Sequence, residues 1–398
     1  MRRHTFSLSF PFSKSIIAFL PLLFCCLCTQ CRSERKQSNS EKVRNIQPLI
    51  ITREVTDLEP YIEELELIPI SSDSVSLSGI VKILVSSDHY FILSGGAVFS
   101  MPREGGSIEQ IGSIGRGPGE YLFVKDVTFN SDETELWCLD PLNAILRYSI
   151  EDNSYLGDIS IEKEIAHPKA IFPLANERVA VYVPNPLMED MGDEDLSFYC
   201  LRILDKNGKE IDKDFLWDDY NIDAGFSSPV SFSDDGICVL SLESSRPCVV
   251  FQNGIEIEQI FFDFGRKNVP FRFSFLSGDD PMQMLSELFK EDYYKLVSYV
   301  FFSDNYLYFS AYGKNSSLWN YVICQDRSEG IRWRSAGLYT PPKSAIATEQ
   351  GYFLFPYEDY GAIESVEEER DPIKKCVLAR FGVPPSIQTC LIKVKFHV

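Results

Sequence analysis

The sequence predicts an all-β chain: a six-bladed β-propeller with four-stranded antiparallel blades, its N-terminal strand closing the last blade. Three observations carry this. Long helical periodicity is nearly absent after residue 60, where short apolar runs alternate with turn residues. Six of these runs recur at Phe91, Leu136, Val179, Ile237, Leu307 and Tyr352, spaced 45, 43, 58, 70 and 45 residues apart. The base period falls in the propeller range of about 40–50 residues per blade. Finally, the chain is 44% hydrophobic with 29 Phe and 19 Tyr, enough apolar mass for a large core and too much for a disordered chain.

Residues 1–31 read as a lipoprotein-type signal peptide. Arg2, Arg3 and Lys14 precede an apolar run, Ile16 to Leu27, that is too short to span a bilayer. Cys25, Cys26, Cys28 and Cys31 crowd its end. A cysteine there, followed by polar residues, resembles the acylation site of bacterial lipoproteins. Cys26 has the better preceding residues, Cys31 the better polar flank, and both are lipidation candidates. An ordinary cleaved signal or a membrane anchor is the alternative. Residues 32–50 are polar and read as a tether, leaving 51–398 for the propeller. Loss of residues 1–31 takes the formal charge from −20 to −23, with 35 basic residues against 58 acidic. That balance excludes a nucleic-acid binder, because phosphates would be repelled.

Residues 61–70 form one strand more than the six units need, which predicts closure of the ring by pairing with the last blade and removal of an exposed edge. In the second unit the strands read as Val124–Phe129, Glu135–Leu139, Ala144–Ile150 and Tyr155–Ile161. The turns between them hold Asn130-Ser131-Asp132, Asp140-Pro141-Leu142-Asn143 and Glu151-Asp152-Asn153, residues that accept turn geometry. Strands such as Leu136–Leu139 are apolar on both faces, as stacked sheets require. The long spacings imply insertions. Glu189–Asp195 is an acidic loop, and 265–294 holds a short helix capped by Asp280 with Pro281 in its first turn. Glu364–Asp371 reads as a second solvated acidic loop. Of the seven later cysteines most sit in apolar runs and read as buried thiols, while Cys238 and Cys248 flank one hairpin and are candidates for a disulfide. No CxxC pair supports a zinc site.

Residues 111–140, IGSIGRGPGEYLFVKDVTFNSDETELWCLD, are similar to an NHL-type repeat, in which a glycine-rich turn with an aromatic leads into a blade. Gly115 to Tyr121, with Leu65 to Ile70 and Gly79 to Ile83, resembles more closely the six-bladed propeller lipoproteins of anaerobic Gram-negative bacteria. The resemblance covers residues 60–160 well and the rest by period only. It implies a fold and an envelope location, and supplies no catalytic residues. The turn itself reads as an inter-blade crossover, although its glycine amides, flanked by Arg116, are also suited to an anion.

One column of candidate ligand-binding residues emerges from the period. Lys82, Lys125, Lys169 and Lys343 stand 9, 11, 10 and 9 residues before their markers, and Ser228 and Ser298 take the place in the other two units. First strands line a propeller's channel, so these lysines predict a basic ring that focuses an anionic small molecule, glycan or peptide, with Asp126 as a possible internal partner and His167 beside it. Individually they also read as ordinary surface lysines. The function this supports is an envelope-anchored, non-catalytic propeller that binds a glycan, peptide or protein at the channel mouth and touches the membrane through its lipid only. Two alternatives stand. A propeller-fold metal-dependent lactonase or lyase needs clustered ligands, yet only His89 and His167 lie within the repeat region away from the chain ends. A scaffold subunit of an envelope complex is the other. No nucleophile motif, cofactor motif or metal-binding spacing is present.

Overall fold

The computed structural model describes residues 43–398 apart from 72–76, 78, 143, 164, 166, 184–198, 217–228, 242–245, 270–289, 295–296, 314–316, 336–343, 359–370 and 383–388. Six small, mostly antiparallel sheets stand in a ring. Blade 1 holds Ile80–Val85, His89–Ser94, Ala97–Pro102 and Glu109–Ile111; blade 2 holds Asp126–Phe129, Glu135–Asp140, Ala144–Ser149 and Tyr155–Ser160. Blade 3 holds Ala170–Leu174, Arg178–Tyr182, Tyr199–Leu204 and Glu210–Leu216. Blades 4 and 5 follow as Val230–Ser233, Ile237–Leu240, Cys248–Gln252, Ile255–Phe262, then Val297–Ser303, Tyr306–Tyr312, Leu318–Cys324, Glu329–Arg334. All six sequence markers lie in the second strand of their blade or at its start, so the period was read in the correct register.

Blade 6 draws on both ends of the chain. Ala347–Glu349, Tyr352–Glu358 and Thr389–Phe396 supply three strands, and Ile62–Ser71 completes the sheet antiparallel to Thr389–Phe396, with Leu67 opposite Ile392. This is the closure that residues 61–70 predicted. The chain before it does more than tether. Val43–Ile46 adds a parallel fifth strand to blade 4, and Thr52–Glu54 adds one to blade 5, joined by the short helix Pro48–Ile51. Of the stretch read as the 32–50 tether, the described residues from Val43 onward thus form part of the sheets and of the helix that joins them. Composition missed it because Val43–Ile46 joins through backbone hydrogen bonds to a sheet edge and buries only Ile46. The segment 43–71 therefore laces the outer edges of three successive blades.

Middle strands are buried on both faces: Tyr90 to Ser94 and Leu136 to Asp140 are covered throughout, whereas the outer strand Tyr155–Ser160 buries only Ile159. Stacking of neighbouring sheets accounts for this contrast. Between first and second strands the hairpins turn through left-handed residues, Glu133, Asn176, Glu177, Asp235, Asp304 and Gln350. In the blade 2 turn the Asn130 side chain accepts the N–H groups of Thr134 and Glu135, the local mimicry of a turn that Asn provides.

Several expectations need correction. Cys238 and Cys248 are buried free thiols, and the sheet register sets them opposite Phe251 and Ile260 rather than each other. Asp371, read as the end of a solvated loop, is buried and caps the helix Pro372–Phe381, accepting from the N–H groups of Ile373 and Lys374. That helix was not foreseen, since its capping acid was counted with the acidic residues before it. The acidic loop 189–195 and the helix expected around Asp280 lie outside the described residues. No helix among the described residues is long and apolar enough to cross a membrane.

The glycine-rich turn is a crossover between blades 1 and 2. Tyr121 is buried and donates to the Ile111 carbonyl, and Tyr148 donates to the Gly119 carbonyl. The Glu120 carboxylate accepts the Gly117 N–H at 2.7 Å and fills the space where a side chain at Gly115 would lie. The Gly117 amide is thus engaged by the turn's own acid, and the Gly115 N–H by the Tyr121 carbonyl.

Candidate functional site

The six first strands run side by side around the axis, so residues at matching registers face one another across it. Near the middle, Lys82 of blade 1 donates to Asp126 of blade 2 at 2.6 Å, and both side chains are 4% exposed. The other Asp126 oxygen accepts the Ile171 N–H of blade 3 at 3.0 Å. The Lys82 ammonium also lies 4.8 Å from the Phe232 ring of blade 4. One ion pair therefore ties four blades together. Burial pushes the Asp126 carboxyl up, against the pull of Lys82 and of backbone N–H groups.

Of the other residues singled out from sequence, Lys125 is half-buried and donates to the Pro168 carbonyl at 3.2 Å. Burial draws its ammonium down. Lys169 is half-buried at the start of the blade 3 first strand. Arg116 is exposed on the crossover turn, and His167 is exposed with a left-handed backbone. Lys343 lies outside the described residues, as does Ser228. Lys82, Lys125 and Lys169 stand near the N-terminal ends of first strands. The structure brings Lys82 to Asp126, the partner the sequence suggested, and Lys82, Lys125 and Lys169 do not line the cavity at the channel mouth.

The cavity forms at the opposite ends of the same strands. It measures about 440 Å³ and is framed by the first-to-second-strand turns of blades 1, 2, 4 and 6 with Pro173 and Leu174 of blade 3. Phe129 and Phe232 supply apolar wall, and Asn130, Ser131, Asn253 and Gln350 supply polar groups. Four carboxylates line it, Glu133, Asp234, Asp235 and Glu349, against one cation, Arg103. Glu349 is almost buried and accepts from Tyr90, from Arg103 and from Lys393. Burial alone would raise its carboxyl, but these three donors outweigh it and hold Glu349 below the usual range. Asp234 behaves oppositely. Burial pushes it up, the Gly351 N–H opposes, and Asp235 and Asp304 add like charge.

The Glu349 cluster carries a pH prediction. Its carboxylate stabilises the fold when ionised, so that contribution is present above pH 4.5, the ordinary value, and is lost as pH falls through the lower folded value. Glu349→Gln is therefore expected to lose more stability at pH 7 than at pH 3 in urea titrations. Equal losses at the two pH values would contradict the assignment.

These cavity residues were not singled out from sequence, yet a signal was present. Asp88, Glu133, Asp234, Asp304 and Glu349 each stand three residues before a marker, and Asn176 holds the place in blade 3. The lysine column, at the other end of the strands, drew attention away from this acidic one. Among the described residues no group of three or more His, Cys, Asp or Glu is placed to hold a metal ion.

Fold and site together define a six-bladed propeller with an acid-rimmed cavity closing one mouth of its channel. The chain belongs to the family described as Domain of unknown function (DUF4934), whose model matches residues 43–378. The start of that match coincides with the first strand laced onto blade 4. A protein of Bacteroides fragilis NCTC 9343 described as exported has a similar structure, with a TM-score of 0.66 and 13% identity over 90% of this chain and 100% of its own. At that identity the likeness concerns the fold alone. The structure of U3-55K is more distant, with a TM-score of 0.40 and 10% identity over 83% of this chain and 98% of its own. No curated protein matches the chain.

Proposed function

We propose that the protein is an exported, non-catalytic binding propeller, held at the cell envelope by a lipid on Cys26 or Cys31, that takes a glycan, peptide or protein partner at the mouth of its channel. The cavity of about 440 Å³ carries the reading. A concave site of this volume, with apolar walls and convergent polar groups, is the usual form of a binding site. Turns on a rigid ring frame it, which suits recognition because such turns can vary without disturbing the core. The charged start before a short apolar run and cysteines supports export, as does the description of the similar Bacteroides fragilis protein. The lysine column supports an anionic ligand less directly, since Lys82 and Lys125 already hold acceptors within the protein.

Ser131 is exposed and lines the cavity, so Ser131→Trp should fill the mouth while leaving the core intact. A glycan or peptide array probed with the wild-type protein and this variant is the test. Ligands retained by the wild type are expected to drop away from the variant, and undiminished binding by the variant would remove the cavity from the proposal.

A further inference from the structure

The charge balance of the cavity goes one step further. We propose that it receives a positively charged group, an alkylammonium or guanidinium, held by Glu133, Asp234 and Asp235 with its carbon chain against Phe129 and Phe232. This rests on the reading of the cavity as a binding site.

The single cation of the wall is already committed. Arg103 donates to Glu349 and to the carbonyls of Ser86 and Ser87, at 3.1 and 3.4 Å. Lys393, a second cation on Glu349, is shared between Glu349 and Glu66, and Lys82, beside the Phe232 ring, is paired with Asp126. Glu349 is thus neutralised twice over. Glu133, Asp234 and Asp235, by contrast, have no ion-pair partner among the described residues, and Asp234 accepts backbone N–H groups alone, from Gly351 at a long 3.4 Å and from Gln350. Burial, with Asp235 and Asp304 as like charges, pushes the Asp234 carboxyl up, and a cation beside it would relieve that cost. With Glu349 neutralised, Glu133, Asp234 and Asp235 leave the cavity wall an excess of negative charge, which raises the local concentration of cations. Phe129 and Phe232 in the same wall provide apolar surface for the stem of such a ligand, the Phe232 ring also carrying the Lys82 ammonium at 4.8 Å.

Triarginine amide and its uncharged isostere tricitrulline amide, with spermidine as a non-peptide source of the same charge, test this by calorimetry on the full-length protein. Triarginine is expected to bind roughly tenfold or more tightly than tricitrulline. Its affinity should fall with added salt. Asp234→Asn with Asp235→Asn is expected to remove that preference, and the exposed single change Glu133→Gln gives the same direction should the double variant fail to fold. Spermidine binding shows that a free polyamine suffices; its absence beside triarginine binding assigns the cation to a peptide. Equal affinity for triarginine and tricitrulline, both lost in Ser131→Trp, overturns the charge assignment and keeps the cavity as a site. Triarginine binding that survives every one of these substitutions overturns both. Absence of triarginine binding overturns the charge assignment.

Discussion

A chain beginning at Gly79 is expected to lose its cooperative unfolding transition, whereas one beginning at Thr56 keeps it. The difference lies in the strand Ile62–Ser71. It is the fourth strand of blade 6 and pairs with Thr389–Phe396 along nearly its whole length. Ile62, Leu65 and Ile68 are buried by that pairing. At about 1.5–3 kcal/mol for each buried aliphatic side chain, their loss approaches the total stability of an ordinary domain, about 5–15 kcal/mol. Removal also bares the edge of Thr389–Phe396, whose Cys390, Leu391, Ile392 and Val394 are buried, and an exposed apolar edge invites aggregation. The Thr56 chain gives up only the fifth strands of blades 4 and 5, with Ile46 and Thr52 as their buried residues. Its ring stays closed, and a loss of a few kcal/mol is expected. Urea unfolding followed by tryptophan fluorescence distinguishes the two, because Trp333 is buried beside Phe396 of blade 6. A sharp transition in the Gly79 chain with the denaturant slope of the full chain would show that the ring holds without its closing strand.

The second large effect is expected at the axis. Asp126→Ala should cost about 3–5 kcal/mol, because it leaves the Lys82 ammonium buried without its carboxylate. The Ile171 N–H loses its acceptor at the same time. Replacing both charges, Lys82→Met with Asp126→Leu, is expected to be less damaging than Asp126→Ala alone, since the desolvation of two ions is then no longer required. The upward push of burial on Asp126 points the same way: removal from water is not fully offset by its partners. Denaturant midpoints of the single variants Asp126→Ala and Lys82→Met and of the double variant form the test. A double variant weaker than both singles would mean that the pair stabilises the fold outright. On the expected outcome the pair acts less as a source of stability than as a device fixing how four blades meet, and it occupies the channel level where a ligand-focusing ring had been expected.

The repeat was legible because it rests on local chemistry. Strand runs such as Glu135–Asp140 and turns such as Asn130 to Thr134 announce themselves within a few residues, and their recurrence gives the blade count. The closing strand was legible by arithmetic, as one strand in excess. The fifth strands were not, because a four-residue segment on a sheet edge is stabilised by backbone bonds to a distant strand and leaves little trace in its own composition. The helix Pro372–Phe381 was missed for a related reason, its capping acid having been counted with the acidic residues before it.

For the site, residue types were visible and their partners were not. Alignment on the period found Lys82, Lys125 and Lys169 at one level of the first strands, and it would have found the carboxylates at the other. Which column is spent within the protein and which faces open space depends on contacts between residues far apart in sequence, such as Lys82 with Asp126 or Arg103 with Glu349. The sequence by itself determined an acidic all-β chain of six repeating sheets and its closure, since periodicity and turn chemistry act over short range. The tertiary structure alone decided that one mouth is an acid-lined cavity and that the axial lysine is paired, because burial and charge pairing exist only once distant blades meet.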